Sequence, residues 1–296
     1  MRILFVADQY DYSAYALEEV AELARNTFAD VTMLGVLPRD MARSLSPGKP
    51  CDIALDHPVV GALERYRESF LSRWKEGDSP YERKEPRYEW FFLGEGVCEQ
   101  LLICRGSLKD LKVRLRFGQP VSEVLSAVEE EGASLVVLGC TRGDRCLWRD
   151  DPTFPQKLVQ EVPCSILLVK EAHPISEIHA CMDESNITQD SLEMVNQIAV
   201  LHDAKLNLVA LTKGGGIKAE VYPWFDEVYA YYRKKGLDVT SQFKEIDEFE
   251  RFIREEVQHG LLALWMGKKS LLSRLFHRDS VEHFIGTCRT SVLVLR

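Results

Sequence analysis

One pattern of apolar and acidic residues occurs twice in this chain, and a repeat of that length restricts the fold more than any other feature. "ILFVAD", Ile3 to Asp8, and "IHACMD", Ile178 to Asp183, both open on Ile and close on Asp. At the same offset of 175, Leu17 meets Leu192, Val20 meets Val195, Ala24 meets Ala199, Ala29 meets Ala204 and Val36 meets Leu211. Leu17, Val20, Ala24 and Phe28 recur at helical spacing with Glu18, Glu19 and Glu22 opposite them, which predicts an amphipathic helix. "DVTMLGVL" and "KLNLVAL" follow as strands. Each copy begins strand, helix, strand.

A later block repeats at an offset of 128, with "EEGASLVVLG" aligned on "VQHGLLALWMG", Gly132 on Gly260 and Gly139 on Gly267. A strand ("KVRLRF", "DVTSQF") and a helix ("PVSEVLSAVEE", "DEFERFIREEV") precede each block. A further helix and a last strand, "CSILLVK" or "TSVLVLR", follow it. Short strands, apolar on both faces and separated by helices, predict a parallel sheet covered on both sides. The two offsets differ by 47 residues, so the first copy carries a surplus of that size within Pro38–Asp110. Val60, Leu63, Tyr66 or Arg67, Phe70 and Trp74 mark a helix there. "YEWFFLGEGVCEQLLIC" has no counterpart and reads either as an elaboration packed on its own domain or as an association surface. Pro174, in "KEAHPIS", marks the junction between the copies.

A net charge of -9 argues against nucleic acid as a partner, because its phosphates call for a concentrated basic surface. "MRILFVADQY" meets Asp8 too early for a signal peptide, and no apolar run approaches the ~20 residues that span a bilayer. No membrane insertion and a cytoplasmic location are expected. The eight cysteines lack the spacing of redox pairs or zinc knuckles; Cys98 and Cys104, like Cys140 and Cys146, have five residues between them. They are expected to be reduced, mostly buried small hydrophobes. A thiol sensor at Cys140 and Cys146 is the alternative.

"RILFVAD", "RFGQPVSEVLSAVEEEGASLVVLG" and "VPCSILLVK" resemble the first strand, the third-to-fourth-strand block and the last strand of the universal stress protein family. The resemblance covers nearly all of both copies apart from the surplus. It implies an α/β chain of two tandem domains, 1–172 and 173–296, each a five-stranded parallel sheet of order 3-2-1-4-5 with helices on both faces. A pseudo-twofold would relate them, making an intramolecular pseudo-dimer.

ATP-binding members of that family carry G-x2-G-x9-G-S/T after the fourth strand, and their first-strand Asp and second-strand backbone hold the nucleoside. By that resemblance Asp8, Val36 and Gly139 match in the first copy, and Asp183, Leu211 and Gly267 in the second. Counted without gaps, Arg142 falls on the second Gly, Pro152 on the third and Thr153 on the hydroxyl, with Gly143 one residue late. Pro152 removes an amide donor, and Asp150 and Asp151 repel a phosphate. In the second copy Lys268, Lys269 and Ser270 follow Gly267, and Asp279 and Ser280 fall one residue short. Lys268 and Lys269 could hold an anion by charge where backbone cradling is lost.

A Walker loop, a GxGxxG turn, a GxSxG elbow and a kinase signature set are all missing. Two functions remain. One is a non-catalytic stress-response or regulatory protein that has degenerate nucleotide sites and works through an unidentified protein partner. The other is a binder of ATP or AMP, or a slow ATP hydrolase, relying mainly on the second copy. No catalytic residue, metal ligand or obligatory cofactor is assigned.

Overall fold

The apolar run after Met1 forms strand β1 (Arg2–Val6), and four of its five residues are buried. The computed structural model describes residues 1–51, 56–75, 77–81, 88–102, 108–141, 146–170, 175–183, 187–213, 221–266 and 288–296. They form two compact units, Met1–Gly139 and Cys140–Arg296.

In the first unit, helix α1 (Asp11–Thr27) buries Leu17, Val20 and Ala24 of the predicted stripe, together with Ala16 and Leu23. Phe28 departs from that stripe. It ends the helix in the left-handed region at φ 49° and is exposed, because the chain must turn there to enter β2 (Asp30–Leu37). Strand β6 (Leu111–Phe117), helix α3 (Pro120–Glu131) and strand β7 (Leu135–Gly139) complete the predicted series. The parallel strands stand in the order β7-β1-β2-β6, the first four positions of the expected arrangement.

The surplus is packed into this unit. Helix α2 (Pro58–Leu71) buries Val60, Leu63, Tyr66, Arg67 and Phe70, while Trp74 lies beyond its end. Strands β3 (Lys49–Pro50), β4 (Tyr88–Gly94) and β5 (Val97–Leu102) extend the sheet from β6 as antiparallel neighbours. Trp90 and Gln100 reach α2 through Glu64, with Trp90 Nε1 2.9 Å and Gln100 Nε2 3.2 Å from its Oε1. Arg67 lies 3.9 Å over the Tyr88 ring and donates to Gln100. These contacts make the strands of the surplus part of the core.

Four cysteines are not reduced thiols. Cys51 pairs with Cys98, and Cys140 with Cys146. Spacing along the chain could not show the first pair, because its 47-residue separation is closed by the antiparallel β3–β4–β5 arrangement. Cys164, Cys181 and Cys288 take no part in these two disulfides. Cys104 lies outside the described residues.

The second unit begins with helix α4 (Phe154–Glu161) and strand β8 (Ser165–Val169). Strand β9 (Glu177–Met182), helix α5 (Gln189–His202), strand β10 (Lys205–Thr212), helix α6 (Val221–Lys234) and strand β11 (Val239–Glu245) follow. Helix α7 (Phe249–Glu255), strand β12 (Leu261–Trp265) and strand β13 (Ser291–Leu295) end the unit. Parallel strands run β11-β10-β9-β12-β13, the 3-2-1-4-5 order, and β8 joins β13 antiparallel. Leu261 to Trp265 and Ser291 to Leu295 are buried throughout, as strands covered on both faces must be. The junction residue Pro174 lies outside the described residues.

The β8–β13 pair is reciprocal. Lys170 N–H donates to Ser291 Oγ at 3.1 Å, and Arg296 N–H to Ser165 Oγ at 3.3 Å. The Lys170 ammonium reaches the Cys288 carbonyl, and the Arg296 guanidinium caps α4 through the Val159 and Val162 carbonyls. Buried Lys170 and the terminal Arg296 each meet carbonyls of the segment that leads into the opposing strand.

His179 on β9 provides a pH test. It is buried, its Nδ1 is 3.2 Å from Asn207 Nδ2 and its ring meets Phe252 edge-on. Desolvation lowers its pKa against the opposing pull of Glu177 and Glu256, and Lys244 is paired with Glu256. Below its ordinary value of about 6.5 the unfolded chain binds a proton that the folded imidazole resists. Stability is therefore expected to be full above that value and to fall as pH drops towards the folded pKa. Urea midpoints between pH 7 and pH 5 should decline, and decline less in His179→Gln. Equal slopes would count against this assignment.

Candidate functional site

In open α/β sheets the crevice beyond the carboxyl ends of the strands, where strand order reverses, is the usual place for ligands. Asp8 follows β1 at that point in the first unit, since β1 lies between β2 and β7. It is 5% exposed, and the chain itself fills its acceptor positions. Ser13 Oγ donates to Oδ1 at 2.9 Å, the Tyr10 amide to Oδ1 at 3.0 Å, and the Tyr12 hydroxyl to Oδ2. The Asp8 amide in turn donates to Ser13 Oγ at 3.2 Å. This carboxylate binds the first turn of α1.

Tyr66 on α2 closes the same place from the surplus side. Its hydroxyl donates to the Asp8 carbonyl at 3.0 Å and to the Tyr10 carbonyl at 3.2 Å. Burial, and then the Asp8 charge, push the phenol up to about 12, so it keeps its proton and stays a donor. Sequence spacing did not single out Tyr12, Ser13 or Tyr66. The first two were legible as hydroxyls four and five residues after Asp8; Tyr66 was visible only as a helix-face residue.

Gly139 ends β7 with its Cα against α1. A Cβ there would sit 1.9 Å from the Tyr12 carbonyl oxygen. The residue type is therefore explained by a close backbone approach, with no phosphate needed. Val36 is half-buried on β2, in register with Arg116 of β6.

Thr153, on the loop before α4, belongs to the second unit. Its hydroxyl donates to Asp151 Oδ1 at 2.9 Å and its amide to the same oxygen at 3.1 Å. It stands at the N-cap of α4 without a side-chain capping bond. Lys157 lies 3.7 Å from Asp151 Oδ2. The loop supplies its own anion to the donors at the start of α4.

In the second copy Asp183 follows β9 and is 5% exposed. The equivalent of Tyr12 at the repeat offset is Ile187, which has no hydroxyl. Thr188 and Ser191 form a capping box at the start of α5. Buried Trp265, at the end of β12, donates Nε1 to Ser191 Oγ at 2.7 Å. Leu211 is buried on β10, in register with Lys244. Arg142, Gly143, Gly267, Lys268, Lys269, Ser270 and Ser280 lie outside the described residues. Among the described residues no group of His, Cys, Asp and Glu could hold a metal ion, and no helix is long and apolar enough to cross a membrane.

Parallel strands alternating with helices, with a carboxylate after the first strand of each copy, define an α/β protein. Residues 1–170 match the universal stress protein family, and the chain belongs to that family. No curated protein matches it. A universal stress protein from Archaeoglobus fulgidus DSM 4304 is similar in structure over 100% of this chain and 96% of its own, with a TM-score of 0.58 at 14% identity. A functionally unknown protein from Pseudomonas aeruginosa PAO1 covers 99% and 92%, with a TM-score of 0.56 at 16% identity. The cytoplasmic domain of a prokaryotic cation chloride cotransporter covers 99% and 93%, with a TM-score of 0.54 at 11% identity. At these identities the likeness is one of fold.

Proposed function

We propose that this universal stress protein is a regulatory protein that works by binding a protein partner, with its first nucleotide site degenerate. The observation that carries this reading is Thr153, whose hydroxyl and amide both point at Asp151. A phosphate arriving at the start of α4 would have to displace that carboxylate and then lie beside Asp150 and Asp151. Repulsion between like charges at such range offsets the favourable end of a short helix. Asp8, filled by Tyr10, Tyr12 and Ser13, is also committed to the chain itself.

One observation favours adenine nucleotide binding in the second copy as the other reading. At the repeat offset Ile187 stands where the first copy has Tyr12, and Lys268 and Lys269 follow Gly267. Lys268, Lys269, Ser270 and Ser280 near Gly267 are the proposed anion-side residues, and ATP or AMP the ligand. A slow hydrolase at this site and a cytoplasmic location belong to the same proposal. So does the division into 1–172 and 173–296 as an intramolecular pseudo-dimer, which the reciprocal β8–β13 pairing supports.

Acid extraction of the purified protein followed by chromatography is expected to release no nucleotide under the partner-binding reading. In calorimetry of the full chain, ATP should bind no more tightly than adenosine. Asp150→Asn with Asp151→Asn should raise ATP affinity about tenfold by removing the loop's own anions. Affinity from the second copy should fall with added salt and with Lys268→Ala. Tight, salt-insensitive ATP binding lost in Thr153→Val would overturn this account of the first site.

A further inference from the structure

We propose that the Cys140–Cys146 disulfide is a reversible redox site, opened by a dithiol reductant, and that its state sets how firmly the chain entering α4 is held. The bond joins the residue after β7 to the segment that leads into that helix. Both ends are fixed to the surrounding structure. The Cys140 amide donates to the Val169 carbonyl at 3.0 Å, tying one end to β8. At the other end, Gln156 of α4 donates Nε2 to the Cys146 carbonyl at 2.7 Å.

Two hydrogen bonds clamp the same neck. The Thr141 amide donates to the Leu147 carbonyl at 3.1 Å, and the Leu147 amide to Thr141 Oγ1 at 3.1 Å. Trp148 then packs on Phe154, the first residue of α4, with ring centroids 4.3 Å apart. The cross-link thus restrains the start of α4 through the Gln156 bond and the Trp148–Phe154 contact.

The chemistry of the stretch suits exchange. Between the cysteines the sequence is Thr-Arg-Gly-Asp-Arg, five residues with a glycine among them. Six positions separate the two sulfurs, so after reduction the thiols stay close and the ring closes again at little entropic cost. Cys51 and Cys98 differ, because they are 47 positions apart in sequence and their bond is built into the sheet. Both Cys140 and Cys146 are buried, so exchange proceeds through local opening of the neck.

In the reaction, a thiolate of the dithiol attacks one cysteine sulfur. The S–S electron pair leaves on the other sulfur, which takes a proton. The second thiol of the reductant then attacks the mixed disulfide and releases the remaining cysteine as a thiol. Two electrons and two protons pass to the protein, and the reductant departs as its own disulfide.

The test uses the full wild-type chain, titrated with dithiothreitol, alkylated with iodoacetamide and read by mass spectrometry. Cys140 and Cys146 should be alkylated at lower dithiol concentration than Cys51 and Cys98, with the far-ultraviolet circular dichroism unchanged. In that state, hydrogen exchange across Phe154–Leu158 should accelerate about tenfold. Cys140→Ser with Cys146→Ser should reproduce the accelerated exchange without reductant; if that variant fails to fold, the wild-type comparison decides. Free thiols at both positions in the air-oxidised protein would overturn the proposal. Reduction only on global unfolding, or reduction that leaves exchange in α4 unchanged, would do the same. No readout involves nucleotide, so the result is independent of the proposed function.

Discussion

Replacing both Cys51 and Cys98 by alanine is expected to lower the stability of the first unit by about 4 kcal/mol. Their disulfide closes a ring with a sequence separation of 47, and a cross-link of that span removes much of the freedom of the unfolded chain. Inside the ring lie α2 and β4, and with them the Glu64–Trp90 contact. Both cysteines are buried, so alanine leaves small voids but no unsatisfied polar group. Urea denaturation of the oxidised protein and the variant measures the difference. An unchanged midpoint would show that the strands of the surplus hold without the cross-link.

The second large effect is expected at Gly139, where alanine should destabilise by about 3 kcal/mol. The new methyl group would sit 1.9 Å from the Tyr12 carbonyl oxygen and 2.4 Å from its carbon, both backbone atoms. No rotamer change relieves such a contact, so α1 or the end of β7 has to move. Movement of α1 would also disturb the Tyr10, Tyr12 and Ser13 bonds to Asp8. Thermal or urea unfolding of Gly139→Ala reads the loss. Near wild-type stability would mean that the approach of α1 is loose, and would restore a ligand-based reason for glycine.

Much of the architecture was legible before any coordinates. The offset of 175 paired Ile3 with Ile178 and Val20 with Val195, and β1, α1, β2 recur as β9, α5, β10. Apolar runs such as "SLVVLG" and "SILLVK" became strands buried on both faces. Local periodicity decides these elements because burial of a continuous apolar face dominates their free energy. Phe28 was the exception. Its apolar character suited the helix stripe, but the left-handed turn into β2 put it in solvent.

The site was legible only as a list of positions. Asp8, Gly139 and Thr153 matched a spacing, and spacing does not say which atoms already have partners. The fold gave Asp8 to Tyr12 and Ser13, Gly139 to the Tyr12 backbone and Thr153 to Asp151. Hydrogen bonds of this kind depend on distances of a few ångströms between segments that are remote or turned back in sequence, and only packing sets those distances. The Cys51–Cys98 bond belongs with them, since sulfurs 47 positions apart meet only because β4 and β5 pair antiparallel between α2 and β6. The sequence by itself determined the repeated α/β order, through the period of its apolar residues. Tertiary structure decided which polar groups remain to meet a ligand, because each donor and acceptor goes first to the nearest partner that the packed chain supplies.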